Sequence, residues 1–292
     1  MNWFLFAFIS ALLSASAALA QKKILFKSKA FDFSLLVSII GFILSLPFFI
    51  NTDFNAVTSQ SLFILYIKSV LATFAFLCVM LVIKNFEISK ALPLMVLTPG
   101  LVAIFAFLFL GDELSATDVT GIILLMSGTY ILEVSDKENI FNSFRIIFKS
   151  NHYYFIVIAL LLFTASAVID RLLLTDYKLP PESFMAFQQM FFAINFLIVF
   201  LFRKNKSSVL KIVADKNIMF WILLVAIFTV GYRYTQIEAT KLAPVALVLS
   251  IKRISVFFSS VIGGRIFKEK NLIIRASAAA VMIAGTLLLL RY

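Results

Sequence analysis

Ten apolar runs of about 16 to 24 residues follow one another along this chain, and the punctuation between them is written twice. Glu87, Lys90 and Pro93, followed by a Gly111-Asp112-Glu113 step, are answered by Glu238, Lys241 and Pro244 and a Phe267-Lys268-Glu269 step. Earlier in each half, Ser14-Ala15-Ser16-Ala17 is echoed by Thr164-Ala165-Ser166-Ala167 at an offset of 150 residues. Each run has the length that a helix needs to cross a hydrocarbon core. A duplicated hydrophobic unit of this size is the signature of a carrier built from two repeats.

The runs are 3–20, 33–50, 61–83, 91–110 and 117–132, then 153–174, 184–202, 219–237, 244–267 and 272–290. The expected fold is therefore an all-α integral membrane protein with ten transmembrane helices, as two inverted five-helix repeats. The expected organisation is 1–133 for the first repeat, 134–152 for a polar linker and 153–292 for the second repeat. Five helices per unit force the second copy to enter from the opposite face, so inversion follows from the count. The first run ends in Ala18-Leu19-Ala20 before Gln21, which looks like a signal-peptidase site. No Lys or Arg precedes its apolar core, and its Ser14 to Ala17 patch recurs deep in the chain, so a retained helix is expected.

Hydrophobic residues make up 62% of the 292 and the mean hydropathy is +1.03, far more than a soluble core of this size could bury. The partner implied throughout is the lipid bilayer. One cysteine, Cys78, and one histidine, His152, supply no metal or disulfide cluster, so no metal and no cofactor is expected. The net charge of +11 is scattered over short loops and not gathered in a patch, which argues against nucleic acid. No Gly-rich phosphate loop or soluble segment of any size exists for ATP hydrolysis, and no paired carboxylates or Ser-His arrangement lies in the spans, so an enzyme is not expected.

Eighteen Lys and Arg fall on or beside the loops that follow odd-numbered runs, against Lys178, Lys241 and Arg291 on the other side. The basic side should be cytoplasmic. That places both termini outside a multi-pass protein of the plasma (inner) membrane.

An ionisable side chain within a span costs roughly 3 to 10 kcal/mol when unpaired, so each one is a site hypothesis. Lys252 and Arg253 lie about eight residues into the ninth run, with Ser255 and Ser259 on the face of Lys252. These can line a cavity, or Ser255, Ser259 and Gly263 can form a small-residue helix contact while Lys252 pairs with Asp170 or Glu238. Asp170 and Arg171 near the end of the sixth run cannot face one direction and call for different partners. Gln188 and Gln189, then Tyr232, Arg233 and Tyr234, complete either a vestibule or an interfacial belt of anchors. Lys68, eight residues into the third run, can reach inward or snorkel. Of these intramembrane charges only Asp170 is negative, which points toward a substrate carrying a carboxylate or another anion. Asp170 and Glu238 are the candidates for proton coupling.

The paired Pro93 and Pro244 helix starts, the Leu110-Gly111-Asp112-Glu113 step, the Lys252-Arg253-Ile254-Ser255 stretch and the Phe267-Lys268-Glu269-Lys270 step carry a resemblance over nearly the whole length. The chain resembles the EamA-type members of the drug/metabolite transporter superfamily. The resemblance implies ten helices in an internal inverted repeat that move small metabolites such as amino acids, nucleosides or sugars, commonly outward. The Gly-Glu pair usual at the end of the fourth helix stands here as Gly-Asp-Glu, with Glu113 the closer equivalent. The leading expectation is a secondary transporter, exporting a small-molecule metabolite by alternating access as a monomer or homodimer. A non-transporting membrane partner or assembly subunit, and a flippase for a lipid-linked substrate, are the alternatives.

Overall fold

The computed structural model describes residues 2–25, 28–85, 97–134, 153–203, 207–255, 258 and 272–289. Among them are eleven helices. In chain order these are α1 (Trp3–Leu25), α2 (Ala30–Ile50), α3 (Ser59–Asn85), α4 (Thr98–Leu110), α5 (Ala116–Val134), α6 (Tyr153–Thr175), α7 (Pro181–Leu201), α8 (Ser207–Ala214), α9 (Lys216–Leu242), α10 (Val245–Lys252) and α11 (Leu272–Leu289). Each of the ten apolar runs contains one of them, and the short α8 lies in the basic stretch between the seventh and eighth runs. Pro93, Ser259, Gly263, the 267–270 step and nearly all of the 134–152 segment lie outside the described residues.

Local chemistry sets the helix ends. Thr58 and Ser61 at the start of α3 exchange backbone-to-hydroxyl bonds of 3.2 and 3.1 Å, and at the start of α5 the Ser115 amide donates to the Asp118 carboxylate while the Asp118 amide donates to the Ser115 hydroxyl. Asp215 accepts from the amides of Asn217 and Ile218 to cap α9. Gly111, at φ +66°, closes α4 in the left-handed conformation that a Cβ would penalise. Pro244 precedes α10, where a missing amide donor costs nothing.

The burial pattern suits lipid. Large apolar side chains such as Phe63, Phe107, Leu108 and Phe109 point outward, whereas α1 buries the small residues Ala7, Ser10, Ala11 and Ala15 at helical spacing. Six of the described helices have stretches long and apolar enough to cross a membrane: Trp3–Leu25, Ala30–Ile50, Ser59–Leu81, Val157–Thr175, Pro181–Leu201 and Lys216–Leu242. Three shorter apolar helices accompany them, at Thr98–Leu110, Ala116–Ile131 and Ser277–Leu289.

The largest helix–helix contacts all run between the two halves of the chain. The small-residue face of α1 packs on α9, α5 packs on α11, α3 on α6, and α2 on α7. Small residues permit the closest approaches: a Cβ at Gly285 on α11 would stand 2.9 Å from both the Gly121 carbonyl oxygen and the Leu125 amide nitrogen of α5. Lesser cross-half contacts join α2 to α9, α3 to α7, α4 to α6, α1 to α10 and α4 to α10.

Candidate functional site

Four of these helices converge on one buried polar cluster. α3 and α7 begin, and α6 and α9 end, around an apolar plug that includes Phe48, Val57, Leu65, Leu173, Leu179, Phe184 and Tyr234. Counted from those ends at 1.5 Å per residue, Lys68, Asp170, Gln188 and Arg233 lie roughly 8 to 14 Å deep. There they meet. The Lys68 ammonium stands 2.9 Å from Asp170 Oδ1 and donates to Gln188 Oε1 at 2.9 Å. Arg233 donates to Asp170 Oδ2 at 3.2 Å and to the same Gln188 oxygen at 2.8 Å.

Lys68 is 1% exposed and Asp170 3%, so Lys68 points into the protein and does not snorkel. The Phe184 ring, 5.3 Å from the Lys68 nitrogen, closes one side of the cluster. One carboxylate thus serves two cations, and the neutral Gln188 oxygen bridges the same pair. The desolvation that makes an isolated intramembrane charge expensive is offset here by charge-assisted bonds from three other helices.

A third cation stands nearby. Lys252 at the end of α10 donates to Gln236 Oε1 at 2.6 Å and lies 4.2 Å from the centroid of the Tyr232 ring, a cation–π contact. Gln236 is one turn beyond Tyr232 and Arg233 on α9, so this face carries the Lys252 contacts alongside the cluster. Lys252 is within electrostatic range of both Arg233 and Asp170. Neither Asp170 nor Glu238 pairs with it, and among the described residues it has no carboxylate partner. The Tyr232 carbonyl accepts from Ser10 at 2.8 Å, which fixes this part of α9 against α1.

The remaining candidates go elsewhere. Arg171 turns away from its neighbour Asp170 and donates to the Thr240 carbonyl at 2.7 Å, with Asp112 Oδ2 3.7 Å from its Nε. It therefore neutralises the carbonyl end of α9. Burial raises the Asp112 carboxyl above its ordinary range, opposed by Arg171 and reinforced by Asp176. Arg253 donates to Thr98 at 2.9 Å, joining α10 to α4. Gln189 lies beside α2 at Gly41. Tyr234 stacks near Phe48 at 4.9 Å and donates to Glu182 at 3.3 Å, close to the helix ends. Ser255 is half-buried a turn beyond Lys252 and makes no hydrogen bond among the described residues.

Sequence reasoning missed Gln236, Thr98 and Asp112 as partners. It also missed a second polar tie between α3 and α7, in which Asn195 donates to Ser69 at 3.0 Å and to Thr73 at 3.3 Å. Gln236 was open to detection, because it follows Tyr232 by four residues on one helix face. A separate cavity of about 280 Å³ is lined by Phe8, Ile254, Phe258, Met282, Ile283 and Leu287 among others. Its one hydroxyl, on Thr286, donates to the Met282 carbonyl, and the described lining carries no charged side chain. Among the described residues no group of three His, Cys, Asp or Glu could hold a metal ion.

A family model, the EamA-like transporter family, matches residues 1–134 and 151–291. The chain belongs to the EamA-like transporter family. It is thus a multi-pass integral membrane protein of a family whose members are transporters. Among curated proteins none matches its sequence significantly. A solved crystal structure of a protein superposes with a TM-score of 0.74, over 98% of this chain and 96% of that one, at 16% identity. At that identity the likeness concerns the fold alone.

Proposed function

We propose that this EamA-like protein is a secondary transporter that exports a small anionic or zwitterionic metabolite, such as an amino acid, by alternating access. Its ten spans form two inverted five-helix units, 1–133 and 153–292, joined by 134–152. The pattern of helix contacts supports this reading. Matching α1, α2, α3, α4 and α5 with α6, α7, α9, α10 and α11 turns the α1–α9 contact into α6–α3, α2–α9 into α7–α3, and α4–α6 into α10–α1. The α2–α7, α4–α10 and α5–α11 contacts map onto themselves, as expected of two units related by a twofold axis. The excess of basic residues on one set of loops supports an orientation with both termini outside, in what we take to be the plasma membrane.

The observation that carries the substrate class is the charge imbalance at the centre. Lys68 and Arg233 contact a single carboxylate, Asp170, and Lys252 lies within electrostatic range of it. In a low-dielectric site that surplus favours a ligand that brings negative charge. Purified protein in liposomes tests the reading by gradient-dependent flux of labelled amino acids and other carboxylates. Flux is expected, with Lys252→Ala abolishing it in protein that still folds; unchanged flux in Lys252→Ala and Arg233→Gln would remove the site assignment. A thermal-shift screen in which stabilising ligands are mainly cations would overturn the substrate class.

A further inference from the structure

Asp170 occupies the position that a substrate carboxylate would need. Its two oxygens are divided between cations from different halves of the chain, Oδ1 against Lys68 of α3 at 2.9 Å and Oδ2 against Arg233 of α9 at 3.2 Å. Gln188 of α7 binds the same two cations through Oε1, so four helices meet at one carboxylate-sized point. Because the Asp170 side chain is 5% exposed, its charge depends on those cations and little on water. Arg233 is 16% exposed at the same point, which leaves one of the two cations open to an incoming ion.

We propose that Asp170 is an internal surrogate for the substrate carboxylate, holding Lys68 and Arg233 together in the empty transporter and yielding Arg233 when a ligand carboxylate arrives. This rests on the transport reading above and adds to it a substrate group and a competition. Lys252, whose acceptor Gln236 is neutral, receives the second oxygen of the incoming carboxylate. The exchange is one carboxylate for another, so Arg233 is never left without an anion. Because the Lys68–Asp170 contact ties α3 to α6 while Arg233 sits on α9, breaking one arm removes the ion pair between α6 and α9 and leaves the Arg171 bond to the Thr240 carbonyl as a polar tie between them. A ligand can shift a conformational equilibrium only through such a difference in contacts between the two states.

The experiment is chemical rescue of the full chain in nanodiscs, read by thermal unfolding. Asp170→Ala removes the surrogate and leaves its pocket. Acetate, at fixed ionic strength, is expected to raise the Tm of Asp170→Ala in a saturable way, and the neutral isostere acetamide is not. Acetate should leave Asp170→Ala/Arg233→Gln unmoved. An Asp170→Ala protein indifferent to acetate, or equally responsive to acetamide, overturns the proposal. Should Asp170→Ala fail to fold, Asp170→Asn keeps the shape without the competing charge. It should then bind acetate roughly tenfold more tightly than the native chain, equivalent to about 1.4 kcal/mol. Equal or weaker binding overturns the idea. These readouts require no transport, so absent flux with intact rescue would count against the transporter reading alone.

Discussion

Two buried aspartates, each tied to a cation from the other half of the chain, lie toward opposite ends of α7. Asp32, at the start of α2, is fully buried and takes one partner, Arg203, just past the end of α7. That guanidinium also lies 4.6 Å from the Phe31 ring and remains about a third exposed, at 32%. Asp170 takes two partners, and a third cation waits on α10. The first pair is balanced and vented to solvent, so it closes an end of the bundle. The second carries more positive charge than its carboxylate can neutralise, at a depth where that surplus is costly unless a ligand uses it.

The largest effect should come from deleting each carboxylate in turn. Asp170→Ala strands the buried Lys68 and the partly buried Arg233, and breaking such a pair costs about 3–5 kcal/mol. Asp32→Ala strands a guanidinium that can rehydrate, so about 1–2 kcal/mol is expected. Denaturant unfolding of both variants in detergent measures the difference, and equal losses would erase the distinction drawn between the two sites. The double variant Asp32→Asn/Arg203→Gln should keep its flux, since nothing at that end meets the ligand.

Next in size is a separation of stability from function at Lys252. Lys252→Met replaces a half-buried cation whose partners, Gln236 and the Tyr232 ring, are both uncharged. Removing such a charge is close to neutral for folding, while the ligand loses a charge-assisted bond, which is about tenfold or more in affinity. Calorimetric titration with a stabilising carboxylate, alongside the melting curve, checks both halves of that expectation. A large fall in Tm with affinity intact would reclassify Lys252 as a structural tie of the Asp32 kind.

A smaller effect is expected midway along α7. Asn195→Ala deletes the bonds to Ser69 and Thr73 and leaves two hydroxyls that can bond within their own helix, as Thr73 already does to Ser69. The loss should be about 1 kcal/mol, with ligand affinity unchanged. Any change in affinity would show that the α3–α7 contact transmits to the cluster and is not merely holding two helices together.

What could be read from the sequence follows the size of the free energies involved. Apolar runs long enough to span lipid leave no soluble alternative, and every one of them contains a helix. Lys68, Asp170, Gln188 and Arg233 announced themselves because burying each one costs enough to demand a reason. Which of them meet was not legible, since that depends on the rotation of four helices. Arg171 illustrates the point, lying one residue from Asp170 yet serving the far side of α6. Gln236 and Thr98 escaped notice for a different reason, because a neutral polar side chain on a membrane helix is cheap and common. Asp32, one residue outside the second apolar run, drew no reading at all; only the packing of α2 against α7 makes it half of an ion pair.

Arg171 also supplies the smallest prediction, because its own carboxylate partner differs from both aspartates above. Asp112 sits outside the spans, in the connection between α4 and α5, with its side chain 16% exposed. Burial raises its carboxyl above the usual range, the neighbouring Asp176 adds to that, and the Arg171 charge at 3.7 Å only partly reverses it. A carboxyl raised on folding favours the folded state when protonated, and that advantage is lost as pH climbs through the folded value. Asp112→Asn mimics the protonated form at every pH. The native chain should therefore lose Tm relative to Asp112→Asn as pH rises from the ordinary aspartate value of about 3.9 through the raised folded value, with the gap levelling off above it. A gap that moves the other way would mean that Arg171 outweighs burial and that Asp112, like Asp32, is a net stabilising partner.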